Sequence, residues 1–161
     1  GKALSADRTH IGGDLDCRGE GGLTVHGTVD LCDARIGGSV HLEAAELTAP
    51  PHDRTALRAN GIDVGGVVSL SEGFTAHGRI RLSNATIRSI LSFSDAVLDT
   101  AATEEALVCR GTTVGVLTLL PREAPPGIVD LSRARVGLLR DGPAAWPASL
   151  VVEGTVYDNI R

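Results

Sequence analysis

Three histidines are the residues in this chain best suited to chemistry. His26, His52 and His77 fall in three successive segments between the units of an internal repeat. Neutral imidazole is a common nitrogen ligand for transition metals. If those segments stack, the rings converge along one edge of the molecule and form a metal site; otherwise they are three unrelated loop histidines. The cysteines Cys17, Cys32 and Cys109 are the other candidates. An odd count without a close pair does not form a disulfide framework and points to a reducing compartment. Cys17 and Cys109 stand where other repeat units carry Leu42 and Leu31, so they are expected to be small buried hydrophobes. Cys32 stands one residue past such a position and is the expected reactive surface thiol. The chain carries no dinucleotide fingerprint, phosphate-binding loop, Cys-x-x-Cys or His-Glu-x-x-His. Its Ser, His and Asp residues show no triad spacing. The expectation is a protein without catalytic residues or cofactor.

The elements that must position these residues come from the repeat. Its clearest copy places apolar residues at Val29, Leu31, Ala34, Ile36, Val40, Leu42, Ala45 and Leu47. The same spacing fits Ile80, Leu82, Ala85, Ile87, Leu91, Phe93, Ala96 and Leu98 without a gap. It also fits Leu57, Ala59, Ile62, Val64, Val68, Leu70, Gly73 and Thr75. Partial matches extend the series to unit starts at 4, 29, 57, 80, 107, 129 and 150. A pair at i and i+2 puts two side chains on one face of a short strand. The intervening residues turn the chain, and Gly12-Gly13, Gly37-Gly38 and Gly65-Gly66 recur at one such corner, where glycine tolerates positive φ. Each unit therefore reads as four short strands and four corners, with the paired residues inward. Seven units stacked at ~4.8 Å make a rod roughly 30 Å long. The predicted fold is an all-β, right-handed, quadrilateral β-solenoid of about seven coils, with 1–161 as one domain. The segments 48–56, 76–79, 99–106, 121–128 and 141–149 leave the repeat at one point and are expected to line one corner of the rod.

Composition agrees with a narrow, regular β-structure. Of the 161 residues, 42% are hydrophobic, yet there is one Trp, one Tyr, two Phe and no Met, against 20 Gly. The net charge of -5 argues against a nucleic-acid binder. No apolar run is long enough to span a membrane, so this segment is expected to make no membrane contact of its own. The expected outward residues are Ser5, Asp30, Arg58, Arg81, Val108, Asp130 and Val151 on the first strand. On the second they are His10, Arg35, Asp63, Thr86, Thr113, Arg135 and Val156. Both rows mix charge signs. The third row, Asp16, His41, Ser69, Ser92 and Thr118, is a weakly polar ladder. No amphipathic helix caps either end. The expectation is a fragment of a longer protein, or a chain that forms an end-to-end homodimer; the protein partner is not named by the sequence.

Two resemblances follow from these residues. The five-residue step resembles the pentapeptide-repeat proteins, which implies a quadrilateral β-helix and, for some members, a DNA mimic that binds gyrase. The stretches LRANGIDVGGVVSL (57–70) and RIRLSNATIRSILSF (79–93), with Gly154-Thr155-Val156-Tyr157-Asp158, resemble actinobacterial proteins described as membrane-associated oxidoreductases. That resemblance implies helical, membrane-associated sequence following the solenoid. With the reducing compartment that the cysteines indicate, the expectation is a cytoplasmic chain, tethered to the membrane in the full-length protein. The function read from the sequence is a non-catalytic scaffold or protein-interaction module. The alternatives are a gyrase-binding DNA mimic, and an enzyme with its site in the Pro-rich loops.

Overall fold

The alternation of inward pairs and corners folds as the spacing predicts, into stacked parallel strands with no helix among the described residues. The computed structural model describes residues 2–143 and 145–161. Coil 1 contains β1 (Lys2–Ser5), β2 (His10–Ile11), β3 (Leu15–Asp16) and β4 (Thr24–His26). Coil 2 contains β5 (Thr28–Asp30), β6 (Arg35–Ile36), β7 (Val40–His41) and β8 (Glu46–Thr48). Coil 3 contains β9 (Thr55–Arg58), β10 (Asp63–Val64), β11 (Val68–Ser69) and β12 (Thr75–His77). Coil 4 has β13 (Arg79–Arg81), β14 (Thr86–Ser92) and β15 (Val97–Asp99); coil 5 has β16 (Glu105–Val108) and β17 (Thr113–Leu119). Coil 6 has β18 (Ile128–Asp130) and β19 (Arg135–Asp141), and coil 7 has β20 (Leu150–Val151) and β21 (Val156–Ile160). The first side runs through all seven coils in the order β1-β5-β9-β13-β16-β18-β20. Backbone bonds alternate in direction between coils, as Leu42 N–H to Ser69 C=O (3.0 Å) and Thr75 N–H to Ala45 C=O (2.8 Å) illustrate. This is the evenly spaced, slanted bonding of a parallel ladder.

The first corner is built alike in every coil. A turn is closed by the N–H of Thr9, Ala34, Ile62, Ala85, Thr112, Ala134 or Thr155 to the carbonyl three residues before it. The third residue of that turn has positive φ in all seven coils: Arg8, Asp33, Gly61, Asn84, Gly111, Arg133 and Gly154. Positive φ at that position is what a type II turn requires. The Gly-Gly corner works otherwise than the sequence suggests. None of its six glycines has positive φ. In coils 2 and 3 they are glycine because the backbones touch: a Cβ on Gly37 would meet the Gly12 carbonyl, and one on Gly65 the Gly37 carbonyl, whereas nothing lies within 4 Å of one on Gly12 or Gly13. Where coil 4 has Arg88-Ser89 and coils 5 and 6 keep only Gly115 and Gly137, this corner flattens. Sides two and three then merge into the single strands β14, β17, β19 and β21. Four strands per coil therefore holds only for coils 1 to 3.

The interior is one continuous apolar column. Val29, Leu31, Ala34, Ile36, Val40, Leu42, Ala45 and Leu47 are all buried, as are their eight counterparts from Ile80 to Leu98. The expected inward pair Gly73 and Thr75 is corrected. Thr75 pairs with Glu46 and Val97, both outward, so Phe74 and Ala76 point in. The cause is one inserted residue at the third corner, where Glu72 and Gly73 both take positive φ. The inserted register puts the fully buried Phe74 between the small residues Ala45 and Ala96 of the neighbouring coils. A large side chain flanked by two small ones keeps the column at normal density.

Candidate functional site

The fourth side, ordered β4-β8-β12-β15, stops after coil 4. In coil 5 the chain passes this side through Pro121, Pro125 and Pro126, which have no N–H to give a ladder. The result is a small four-stranded face with two outward columns. Thr24, Glu46, Thr75 and Val97 form one; His26, Thr48, His77 and Asp99 form the other. The inward residues Val25, Leu47, Ala76 and Leu98 anchor it to the core.

Two of the three expected histidines meet on this face. His26 and His77 share a column, two rungs apart, with Thr48 between them. His77 Nδ1 lies 2.8 Å from Asp99 Oδ2, and its Nε2 lies 3.6 Å from Glu46 Oε1. His52 does not join them; it is exposed in the turn that follows Pro50-Pro51. As the side chains stand, no group of three His, Cys, Asp or Glu among the described residues is arranged to hold a metal ion. The stacking of three inter-unit loops is thus corrected to two strand residues and one loop residue. The signal that was missed is Leu23 and Val25, which make the fourth side of coil 1 and put His26 on a strand. Glu46 and Asp99 were missed as well; both follow from aligning the outward positions of the four strands.

The fourth corner supplies the surroundings. Segments 49–54 and 100–104 emerge there, as the common insertion point requires. Between them Arg54 forms an ion pair with Glu104, and Arg58 Nη2 reaches Asp53 Oδ2 at 2.7 Å. Pro50 and Pro51 form a ridge between two open clefts. One, of about 510 Å³, is lined by Ala3, His26, Gly27, Thr48, Ala49 and the two prolines. The other, of about 360 Å³, includes Arg54, His77, Asp99, Thr100 and Glu104.

The surroundings of all three thiols disfavour the thiolate. Cys109 is buried and its thiol is pushed up to about 12 by loss of solvent, helped by the Asp130 charge. Cys17 is raised by burial and by Asp16. Cys32, expected to be reactive, is half-buried and raised to about 11, first by desolvation and then by its bond with Asp30. Raising a thiol's pKa lowers the fraction of thiolate and with it the reactivity.

The first side also departs from expectation, because its outward row is not all at the surface. Asp30 is 3% and Asp130 5% exposed. Each carboxylate folds back onto its corner: Asp30 Oδ1 accepts Cys32 N–H at 3.0 Å and Asp130 Oδ1 accepts Ser132 N–H at 2.9 Å. Arg110 Nη2 closes on Asp130 Oδ2 at 2.6 Å. Burial pushes the Asp130 carboxyl up, but the bonds from Ser132 and Arg110 outweigh it and hold it below the ordinary range. Elsewhere charges pair between coils: Arg88 with Asp63 and Arg122 with Asp95.

No family model matches this chain, and no curated protein or solved structure is significantly similar to it.

Proposed function

We propose that this chain is a non-catalytic β-solenoid scaffold, a protein-interaction module of the cytoplasm with a membrane tether, and that its contact surface is the face of coil 7. One observation carries the reading. Among the described residues, strands β20 and β21 are hydrogen-bonded on one edge only, to β18 and β19. On that coil Val156 is 56% and Tyr157 50% exposed, with Leu150, Val151, Val152 and Ile160 beside them. An apolar face with free strand edges accepts one more rung, whether from further chain or from a second copy. The gyrase-binding and enzymatic readings have less support. A DNA mimic needs a sustained acidic stripe, whereas the registered row His10, Arg35, Asp63, Thr86, Thr113, Arg135 mixes signs. The enzymatic reading would place its site in the clefts beside Pro50-Pro51, which are open.

Sedimentation of the 161-residue chain tests the contact surface. The wild type is expected to be a dimer at micromolar concentration and Tyr157→Asp a folded monomer. A monomeric wild type, or a dimer that Tyr157→Asp leaves intact, would refute association through coil 7.

A further inference from the structure

The glycine pair of coil 1 meets no need inside the chain. In coils 2 and 3 the second corner is glycine because the preceding backbone lies where a Cβ would be: the Gly12 carbonyl against Gly37, the Gly37 carbonyl against Gly65. Gly12 and Gly13 have neither positive φ nor any atom within 4 Å of a built Cβ. They keep clear the space that one more coil would fill. Two further observations extend this vacancy over the coil 1 face. Among the described residues, β1, β2 and β3 are paired on one edge only, to β5, β6 and β7. Arg35 N–H bonds the Thr9 carbonyl and Gly37 N–H the Ile11 carbonyl. By the same ladder the N–H groups of His10 and Gly12 point out of the stack. The inward residues of coil 1 are also poorly covered: Leu4 is 37% exposed and Ala6, Ile11 and Leu15 are only partly buried, whereas their coil 2 counterparts are buried.

We infer that the coil 1 face receives coil 7 of a second copy, so that chains join head to tail and the ladder continues across the junction. This rests on coil 7 being the contact surface and names what it contacts. The two faces match position by position. In the register that relates each coil to the next, Leu150 would lie on Leu4, Val152 on Ala6, Tyr157 on Ile11 and Ile160 on Leu15. Apolar side chains thus meet apolar side chains along the open column. The Thr155 carbonyl, placed in its coil as Thr9 is, would accept His10 N–H, and the Tyr157 carbonyl would accept Gly12 N–H. The Asp158 backbone, opposite Gly137, would lie against Gly12 as Gly12 lies against Gly37. Strand β21 is unbroken while β2 and β3 bend at Gly12-Gly13, but β14 already pairs with both β10 and β11 around Gly65-Gly66. Joining two coil 7 faces about a twofold axis would make the new rungs antiparallel and leave the coil 1 glycines and N–H groups unmet. A head-to-tail contact is heterologous and does not close on itself. Each added copy extends the rod by its own seven coils, roughly 30 Å at the strand spacing of a sheet.

Sedimentation of the 161-residue wild type, of Gly12→Leu, of Tyr157→Asp and of an equimolar mixture of the two variants tests this. The wild type is expected to associate and to grow beyond the dimer as concentration rises. Each variant alone is expected to be a monomer. The mixture is expected to form a one-to-one dimer that grows no further, joining the intact coil 7 of Gly12→Leu to the intact coil 1 of Tyr157→Asp. The open space at Gly12 leaves room for the leucine in the monomer, and circular dichroism checks the fold of each variant. Amide hydrogen exchange gives a reading that needs no coil 1 variant. His10 and Gly12 N–H are expected to exchange more slowly in associated wild type than in dilute wild type, and at one rate throughout in Tyr157→Asp. A dimer that Tyr157→Asp abolishes but Gly12→Leu leaves intact, or one that never grows, overturns head-to-tail joining and leaves coil 7 as the contact surface. Unchanged exchange at His10 and Gly12 in associated wild type, or a mixture that stays monomeric, overturns it as well. A monomeric wild type overturns both readings.

Discussion

Leu82 and Arg81 are adjacent in sequence and opposite in fate. Leu82 is 1% exposed inside the column, while Arg81 lies on the outward row. A carboxylate at position 82 would have no partner in an apolar interior, and burying an unpaired charge costs several kcal/mol. Leu82→Asp is therefore expected to unfold the chain, and Arg81→Asp to stay within about 0.5 kcal/mol of wild type, as surface changes do. Thermal melts of both variants check this; equal shifts would contradict the assignment of faces. The spacing of apolar residues was enough to separate these two positions. It was not enough for Asp30 and Asp130, which look outward by parity but return to their own corner backbone. Whether a polar side chain reaches water or a nearby N–H depends on corner geometry, which no periodicity encodes.

At the scale of the element, the corners divide into two kinds. The first corner needs a left-handed residue, and Arg8, Asp33, Asn84 and Arg133 supply it in four coils against three for glycine. The second corner needs the absence of a side chain. Its two glycine columns lie against the backbone of the preceding coil, except in coil 1, where nothing lies within 4 Å of a Cβ built on Gly12. Gly37→Ala is expected to destabilise by about 1–3 kcal/mol, the usual cost of overpacking, and Gly12→Ala to be near neutral. Urea denaturation of the two variants measures the difference. A Gly37→Ala protein as stable as wild type would show that the coils can separate at this corner. Glycine occurs at both kinds of corner in the sequence. Only the distance between successive coils tells a glycine kept for its φ from one kept for lack of a Cβ.

For the whole molecule, the coil-to-coil charges set a pH dependence. Asp63 and Asp95 are held below their ordinary value of 3.8 chiefly by Arg88 and Arg122, and Asp130 by bonds from Ser132 and Arg110 that outweigh its burial. A carboxylate depressed in the folded state binds protons more readily when unfolded. Its stabilisation is full above the unfolded value and is lost as pH falls through the folded one. The melting temperature is therefore expected to hold steady from pH 7 to about pH 5 and to fall below pH 4. Salt should weaken the exposed Asp63 and Asp95 pairs but not the buried Asp130 bond. Asp130→Asn is accordingly expected to flatten the acid decline more than Asp95→Asn does. A melting temperature unchanged between pH 5 and pH 3 would contradict this.

The sequence by itself determined that the chain is a stack of seven coils, which residues of coils 2 and 4 point inward, and that insertions leave the stack near 49–54 and 100–104, whereas 76–79, also expected to leave it, lies across β12 and β13. A solenoid makes these things local: each coil repeats one spacing, and a side chain's face follows from its parity along a short strand. The tertiary structure alone decided what depends on registration between coils. One inserted residue at the third corner exchanged Gly73 and Thr75 for Phe74 and Ala76. A fourth strand in coil 1 moved His26 from a loop onto a sheet, in line with His77. The meeting of Glu46, His77 and Asp99 was hidden for the same reason. These residues are 31 and 22 positions apart in the chain, and only the pairing of β8, β12 and β15 sets them side by side.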